Sequence, residues 1–129
     1  MPDLSAYRFT KTHEWVRDDG QSEALVGITD NAQSQLGDVI FLDLPKVGAM
    51  VGAGARFGAV ESVKAANDLY SPVGGEVVAV NSDVIASPEL VNQDPYGRGW
   101  LIRLRREGDP PAGLLDSAEY DSFAEADSH

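Results

Sequence analysis

The residue with the most chemical scope in this 129-residue chain is a lysine. Only three lysines occur, Lys11, Lys46 and Lys64, and the other seven cations are arginines. Lys64 lies in the stretch Phe57-Gly58-Ala59-Val60-Glu61-Ser62-Val63-Lys64-Ala65-Ala66-Asn67-Asp68-Leu69-Tyr70-Ser71-Pro72-Val73-Gly74-Gly75-Glu76-Val77. Apolar residues lead in through Val60 and out through Leu69 and Tyr70, so the stretch reads as strand, turn, strand with Lys64 at the tip. Asn67-Asp68 reads as turn chemistry. A lysine on such a tip has no desolvating pocket to make it a base. It offers reach: acylated there, it carries a group on a long tether, and tethering turns each visit to a catalytic site into a local search at high effective concentration. The bland alternative is a solvated surface lysine. Lys46, after Pro45, is the other turn lysine, and its flanks are unlike a modification target.

Little else in the chain has the makings of catalysis. There is no cysteine, which removes disulfides, thiolate metal sites and cysteine nucleophiles. His13 and His129 sit at opposite ends of the sequence, against a histidine metal site. No phosphate loop or Ser-His-Asp order is evident. A net charge of −11 with no basic cluster argues against nucleic acid and anionic membranes as partners. The longest apolar-and-glycine run, Val47 to Ala55, is too short to span a bilayer, and Met1-Pro2-Asp3-Leu4 has no leader character. A cytoplasmic protein is expected, bacterial in type, or one of the mitochondrial matrix if a leader was removed.

The elements that must hold Lys64 are short and β-rich. Tyr7–Thr10, Glu14–Val16 and Glu23–Ile28 read as strands, with Asp19-Gly20 as a tight turn. Thr29 is a helix N-cap, Asp30 suits the first turn, and Gly37 is the stop. Asp38–Leu42 and Trp100–Leu104 read as strands. A second short helix is expected after Ser87, with Pro88 in its first position and an end at Asp94-Pro95. Asp116 and Glu119 form a capping box for a last helix, with Leu115 and Tyr120 as a hydrophobic staple. Gly37-Asp38-Val39-Ile40-Phe41-Leu42 faintly echoes Gly75-Glu76-Val77-Val78-Ala79-Val80, as two facing sheets would. Trp15, Phe41 and Trp100 are assigned to the core or its margin. Between Glu107 and His129 lie seven acids and no Lys or Arg, a solvated acidic helix or a docking surface for a basic partner.

Glu61-Ser62-Val63-Lys64-Ala65 followed by Ser71-Pro72-Val73-Gly74-Gly75-Glu76-Val77 resembles the lipoyl-attachment hairpin of the glycine cleavage system H protein family. Thr12-His13-Glu14-Trp15-Val16 resembles that family's N-terminal signature. Gly27-Ile28-Thr29, Ala32-Gln33, Leu36-Gly37-Asp38, Leu44-Pro45, Val47-Gly48, Ser87-Pro88-Glu89-Leu90, Asp94-Pro95-Tyr96-Gly97 and Gly99-Trp100 resemble its other blocks. The likeness runs from Tyr7 to Tyr120 and is least after Phe123. Biotin carriers usually have methionines where Val63 and Ala65 stand. Lipoyl domains of 2-oxo acid dehydrogenases lack the His13-Glu14-Trp15 block.

The resemblance implies a mainly β fold: a barrel-sandwich hybrid of two antiparallel sheets with about three short helices, the last C-terminal and acidic. It implies a single lipoyl-carrier domain over 1–129, with 113–129 as acidic helix and tail. It implies a non-catalytic shuttle bearing lipoate through an amide on Lys64. The implied partners are a pyridoxal-phosphate glycine decarboxylase, a tetrahydrofolate-dependent aminomethyltransferase, a flavin-dependent dihydrolipoyl dehydrogenase and a lipoylating enzyme. The carried aminomethyl group is a cationic amine, and a carboxylate on the body, Glu14 first and Asp68 second, is expected to pair with it. Otherwise Glu14 is an outward residue on an edge strand. Glu61 and Ser62, flanking Lys64 with Val63 and Ala65, either help the ligase read the hairpin or are turn-compatible polar residues. The alternatives are a carrier serving 2-oxo acid dehydrogenases and an unmodified interaction module of the same fold.

Overall fold

The computed structural model describes residues 4–18, 22–107 and 113–127. Its strands are β1 (Tyr7–Phe9), β2 (Glu14–Asp18), β3 (Glu23–Ile28), β4 (Val39–Asp43), β5 (Met50–Val51), β6 (Arg56–Ser62), β7 (Ala66–Tyr70), β8 (Gly75–Val80) and β9 (Ile102–Arg106). Its helices are α1 (Asp30–Leu36), α2 (Ser82–Ala86), α3 (Leu90–Gln93) and α4 (Ser117–Asp127). A six-stranded sheet runs in the order β1-β2-β3-β9-β8-β5, and a three-stranded sheet in the order β4-β6-β7. Each ladder is antiparallel. The two-sheet, mainly β architecture is thus the expected one. β4 and β8, the two halves of the sequence echo, lie in different sheets.

The period of two decides where side chains go. Along β2 and β3, Val16, Ala24, Val26 and Ile28 enter the core between the sheets, with Val60, Leu69, Val77, Leu101, Ile102 and Leu104. Their neighbours Trp15 and Leu25 point the other way, into a second cluster with Tyr7, Phe9, Tyr120 and Ala124. β3 is therefore buried on both faces, one in each of the two clusters. Phe9 stacks on Tyr120 at 4.9 Å between centroids, and Trp15 donates from Nε1 to the Pro95 carbonyl at 3.0 Å. Gly27, opposite Trp15 in register, makes room for the indole: a Cβ there would sit 2.6 Å from its Cζ2.

The caps follow the sequence in most places. Thr29 Oγ1 accepts the Ala32 N–H at 3.1 Å. Gly37 ends α1 at φ 74°. Asp116 N–H donates to Glu119 Oε1 at 3.0 Å, and Glu119 N–H to Asp116 Oδ1 at 2.8 Å, closing the expected capping box.

Three details differ. Among the described residues there are four helices: α2 is capped by Asn81, whose Oδ1 accepts the Asp83 N–H at 3.1 Å. Ser87 closes α2, its N–H bonded to the Asp83 carbonyl, so the next helix starts at Leu90 rather than directly after Ser87. Phe41, assigned to the core margin, is 53% exposed. A register shift between Val39 and Phe41 turns Ile40 and Phe41 outward together. Trp100 does pack against the second cluster. The Asp19-Gly20 turn, the N-terminal three residues and His129 lie outside the described residues. Among the described residues no helix is long and apolar enough to cross a membrane.

Candidate functional site

Lys64 occupies the loop Val63–Ala65 between β6 and β7, where Glu61 pairs with Ala66, Val60 with Asn67 and Ala59 with Asp68. Asn67 and Asp68 are therefore strand residues, not turn residues: pairing with β6 overrides their turn propensity. Ser62 makes the turn. Its side chain is buried at the base of the loop, and Oγ accepts the Lys64 N–H at 3.2 Å and the Ala65 N–H at 3.1 Å. The Ser62 N–H donates to the Ala65 carbonyl at 2.8 Å. From outside the hairpin, the Asp38 carbonyl accepts the Val63 N–H at 3.1 Å. The loop is thus tied at Val63, Lys64 and Ala65, while Glu61, Val63, Lys64 and Ala65 themselves are exposed. The lysine stem passes over Gly37, where a Cβ would lie 2.9 Å from Lys64 Cε.

Glu14 is not an outward edge residue. β2 lies between β1 and β3, and Glu14 is 2% exposed. Its Oε1 accepts hydrogen bonds from Thr10 Oγ1 at 2.9 Å and from Thr12 Oγ1. Its Oε2 accepts the Tyr70 N–H at 3.2 Å, linking β2 to the strand that returns from the lysine. It forms no ion pair with a described residue. Burial raises its pKa above the ordinary carboxylate value, and the three hydrogen bonds oppose that shift.

Between Thr12–Glu14, the end of α1 and the flank of the hairpin lies a cleft of about 690 Å³. Glu14, Ile28, Leu36, Ala65, Asp68 and Tyr70 all line it. It begins at Ala65, the neighbour of Lys64. The structure therefore brings Glu14 and Asp68 into the lining of one cleft that reaches Ala65, next to the lysine in sequence. Asp68, however, is already engaged, with Arg56 Nε 2.8 Å from its Oδ1. Lys46 lies exposed in the loop before β5, away from these lining residues.

Sequence reasoning missed several supports of this site. Thr10 and Thr12 hold the Glu14 carboxylate, and two hydroxyls within four residues of an acid were the available signal. Tyr70 contributes through its main-chain N–H, which no side-chain pattern reveals. The tie from Asp38 is also main-chain. Tyr120 reaches the rim of the site by contacting His13 Nδ1 at 2.6 Å and Thr29 Oγ1 at 2.8 Å. Burial pushes the Tyr120 phenol up to about 12.

Two facing antiparallel sheets with a lysine on a braced, protruding hairpin define a carrier domain of the lipoyl type. Residues 7–127 match the family model described as glycine cleavage H-protein. The glycine cleavage system H protein of Rubrobacter xylanophilus is 57% identical over 112 residues, covering 87% of this chain and 86% of that protein. That of Pseudoalteromonas atlantica is 52% identical over 122 residues, with 94% and 95% covered. The crystal structure of a glycine cleavage system H protein from Mycobacterium marinum superposes with a TM-score of 0.83 at 33% identity, covering 100% of both chains. The chain belongs to the glycine cleavage H-protein family. It is a lipoyl-carrier component of glycine cleavage, not by itself a catalyst.

The residues present suit a lipoyl group. Lys64 is an exposed amine on a fixed loop, the glycine beneath it leaves room for its stem, and a cleft with both apolar and carboxylate lining starts beside it.

Proposed function

We propose that Lys64 bears the lipoyl group in amide linkage and that this chain shuttles it among the enzymes of glycine cleavage. Those are the pyridoxal-phosphate decarboxylase, the tetrahydrofolate-dependent aminomethyltransferase and the flavin-dependent dihydrolipoyl dehydrogenase, with a lipoylating enzyme acting first. When bound, the group supplies a redox-active disulfide that accepts the one-carbon unit from glycine. The protein supplies position. Ser62 and Asp38 hold the loop so that the lysine stem starts from a fixed point, which limits the arm to a defined sweep. Glu61, Val63 and Ala65 present an exposed frame on either side of Lys64 for the lipoylating enzyme.

Glu14 is the acceptor for the carried amine, with Asp68, already paired to Arg56, as the second carboxylate on the cleft wall. A buried carboxylate without a cation is a costly arrangement, and an arriving ammonium offsets that cost. The observation that carries the proposal is the exposed Lys64 on a loop tied at three consecutive residues.

The experiment is glycine decarboxylation with the partner decarboxylase, titrated with lipoylated chain. Activity should saturate with wild type and be absent with Lys64→Arg. Equal activity from Lys64→Arg would overturn the assignment.

A further inference from the structure

Asn92, on α3, is not among the residues lining the cleft, yet its side chain makes two hydrogen bonds to the segment beneath Lys64 and a third to α1. Oδ1 accepts the Val39 N–H at 2.9 Å. Nδ2 donates to the Gly37 carbonyl at 2.8 Å and to Gln33 Oε1 at 3.0 Å. The amide thus clamps both sides of Asp38 and the C-terminal end of α1. Asp38 is the residue whose carbonyl accepts the Val63 N–H, and Gly37 is the residue over which the lysine stem lies. Val39 is paired with Ser62, the other brace of the loop. Hydrogen bonds joined by the main chain of Gly37–Val39 therefore link Asn92 to the loop that carries Lys64.

We infer that Asn92 is a positioning residue for Lys64: it fixes the Gly37–Val39 shelf that sets the height and direction of the lysine presented to the lipoylating enzyme. The inference rests on the reading of Lys64 as the attachment site. A shelf is needed because the loop is exposed and only three residues long, so its own contacts leave its tilt relative to the body undetermined. Gly37 adds to the need. Its φ of 74° with ψ of −154° lies in a glycine-only region, which two further bonds from a side chain hold in place. Asparagine has the required valence: one amide satisfies an N–H and two oxygens at once. Aspartate keeps the acceptor but sets a carboxylate oxygen against the Gly37 carbonyl.

The test measures enzymatic lipoylation of Asn92→Ala and Asn92→Asp against wild type, alongside labelling of Lys64 by a small amine-reactive reagent. Mispositioning of an attacking group costs from about tenfold to about 100-fold in rate. Lipoylation kcat/KM should fall by that much in both variants. Labelling, which needs only exposure, should be unchanged. The Val63 amide should exchange faster with solvent while amides of β2 and β3 keep their wild-type rates. Wild-type kcat/KM in either folded variant would overturn the inference, and so would failure of both variants to fold, which would make Asn92 a structural residue. If wild type itself is not lipoylated on Lys64, the proposed function fails first, so the two failures are distinguishable.

Discussion

Glu14 gives the sharpest prediction, because stability and function pull it in opposite directions. Its carboxylate is buried, has three hydrogen bonds and has no cation among the described residues. Burial is the largest influence on its pKa and raises it. A folded pKa above the unfolded one means that this group's contribution is fully present below the unfolded value, 4.5, and is lost as pH rises through the folded value. Glu14→Gln removes that titration while keeping the contacts: the amide oxygen accepts the Tyr70 N–H, and the amino group donates to the two threonine oxygens. Thermal or urea unfolding of both proteins from pH 4 to 8 should therefore show wild type losing ground to Glu14→Gln as pH rises. The other titrating groups are shared, so they largely cancel in the difference. Glu14→Leu is the control for the contacts. It leaves the Tyr70 N–H without its carboxylate acceptor, at a cost of about 1–3 kcal/mol for a bond to a charged group, which at this chain length is a melting-point loss of a few to roughly ten degrees. If wild type instead gains stability over Glu14→Gln between pH 4 and 7, the carboxylate is not destabilised by burial and the reasoning is refuted.

The loaded carrier should show the converse. Exchanging a charge-assisted bond for a neutral one weakens it roughly twofold, so Glu14→Gln should release ammonia from the carried group several-fold faster, and equal half-lives would remove Glu14 from the site. Ser62→Ala deprives the Lys64 and Ala65 N–H groups of their acceptor. Amide exchange at both should speed up by roughly tenfold for each 1.4 kcal/mol lost, with little change in global unfolding, since the tip opens locally. Gly27→Ala places a Cβ 2.6 Å from the Trp15 ring, and overpacking of about 1–3 kcal/mol should appear as a lowered urea midpoint. Tyr120→Phe removes the hydroxyl that meets His13 and Thr29. It should lower stability by about 1–3 kcal/mol, read by urea unfolding.

The strand-turn-strand around Lys64, the caps at Thr29 and Asp116 and the stop at Gly37 were legible because each is written locally, in apolar runs, capping residues and glycine; the pairing of two antiparallel sheets came from the family resemblance. The rest depends on contacts distant in sequence. Val84 and Ile85 sit in a five-residue helix although β-branched residues favour strands, because Asn81 caps it and Val84 is buried. Asn67 and Asp68 became strand residues through their partners on β6. Phe41 faces outward because of an irregularity in strand pairing that no pattern signals. Glu14 was singled out by resemblance, but its burial requires knowing that β1 and β3 flank its strand and that the Tyr70 N–H arrives from 56 positions away. Asn92 had no local signal, since its partners lie 53 to 59 residues earlier.

The most direct test of the account is intact-mass and peptide-mapping spectrometry of the chain recovered from cells with an active lipoylating enzyme. The account predicts one lipoyl group per chain, on the peptide that contains Lys64, with Lys11 and Lys46 unmodified. A lipoyl group on either of those lysines, or a bare Lys64 in cells whose other lipoyl proteins are modified, would contradict it.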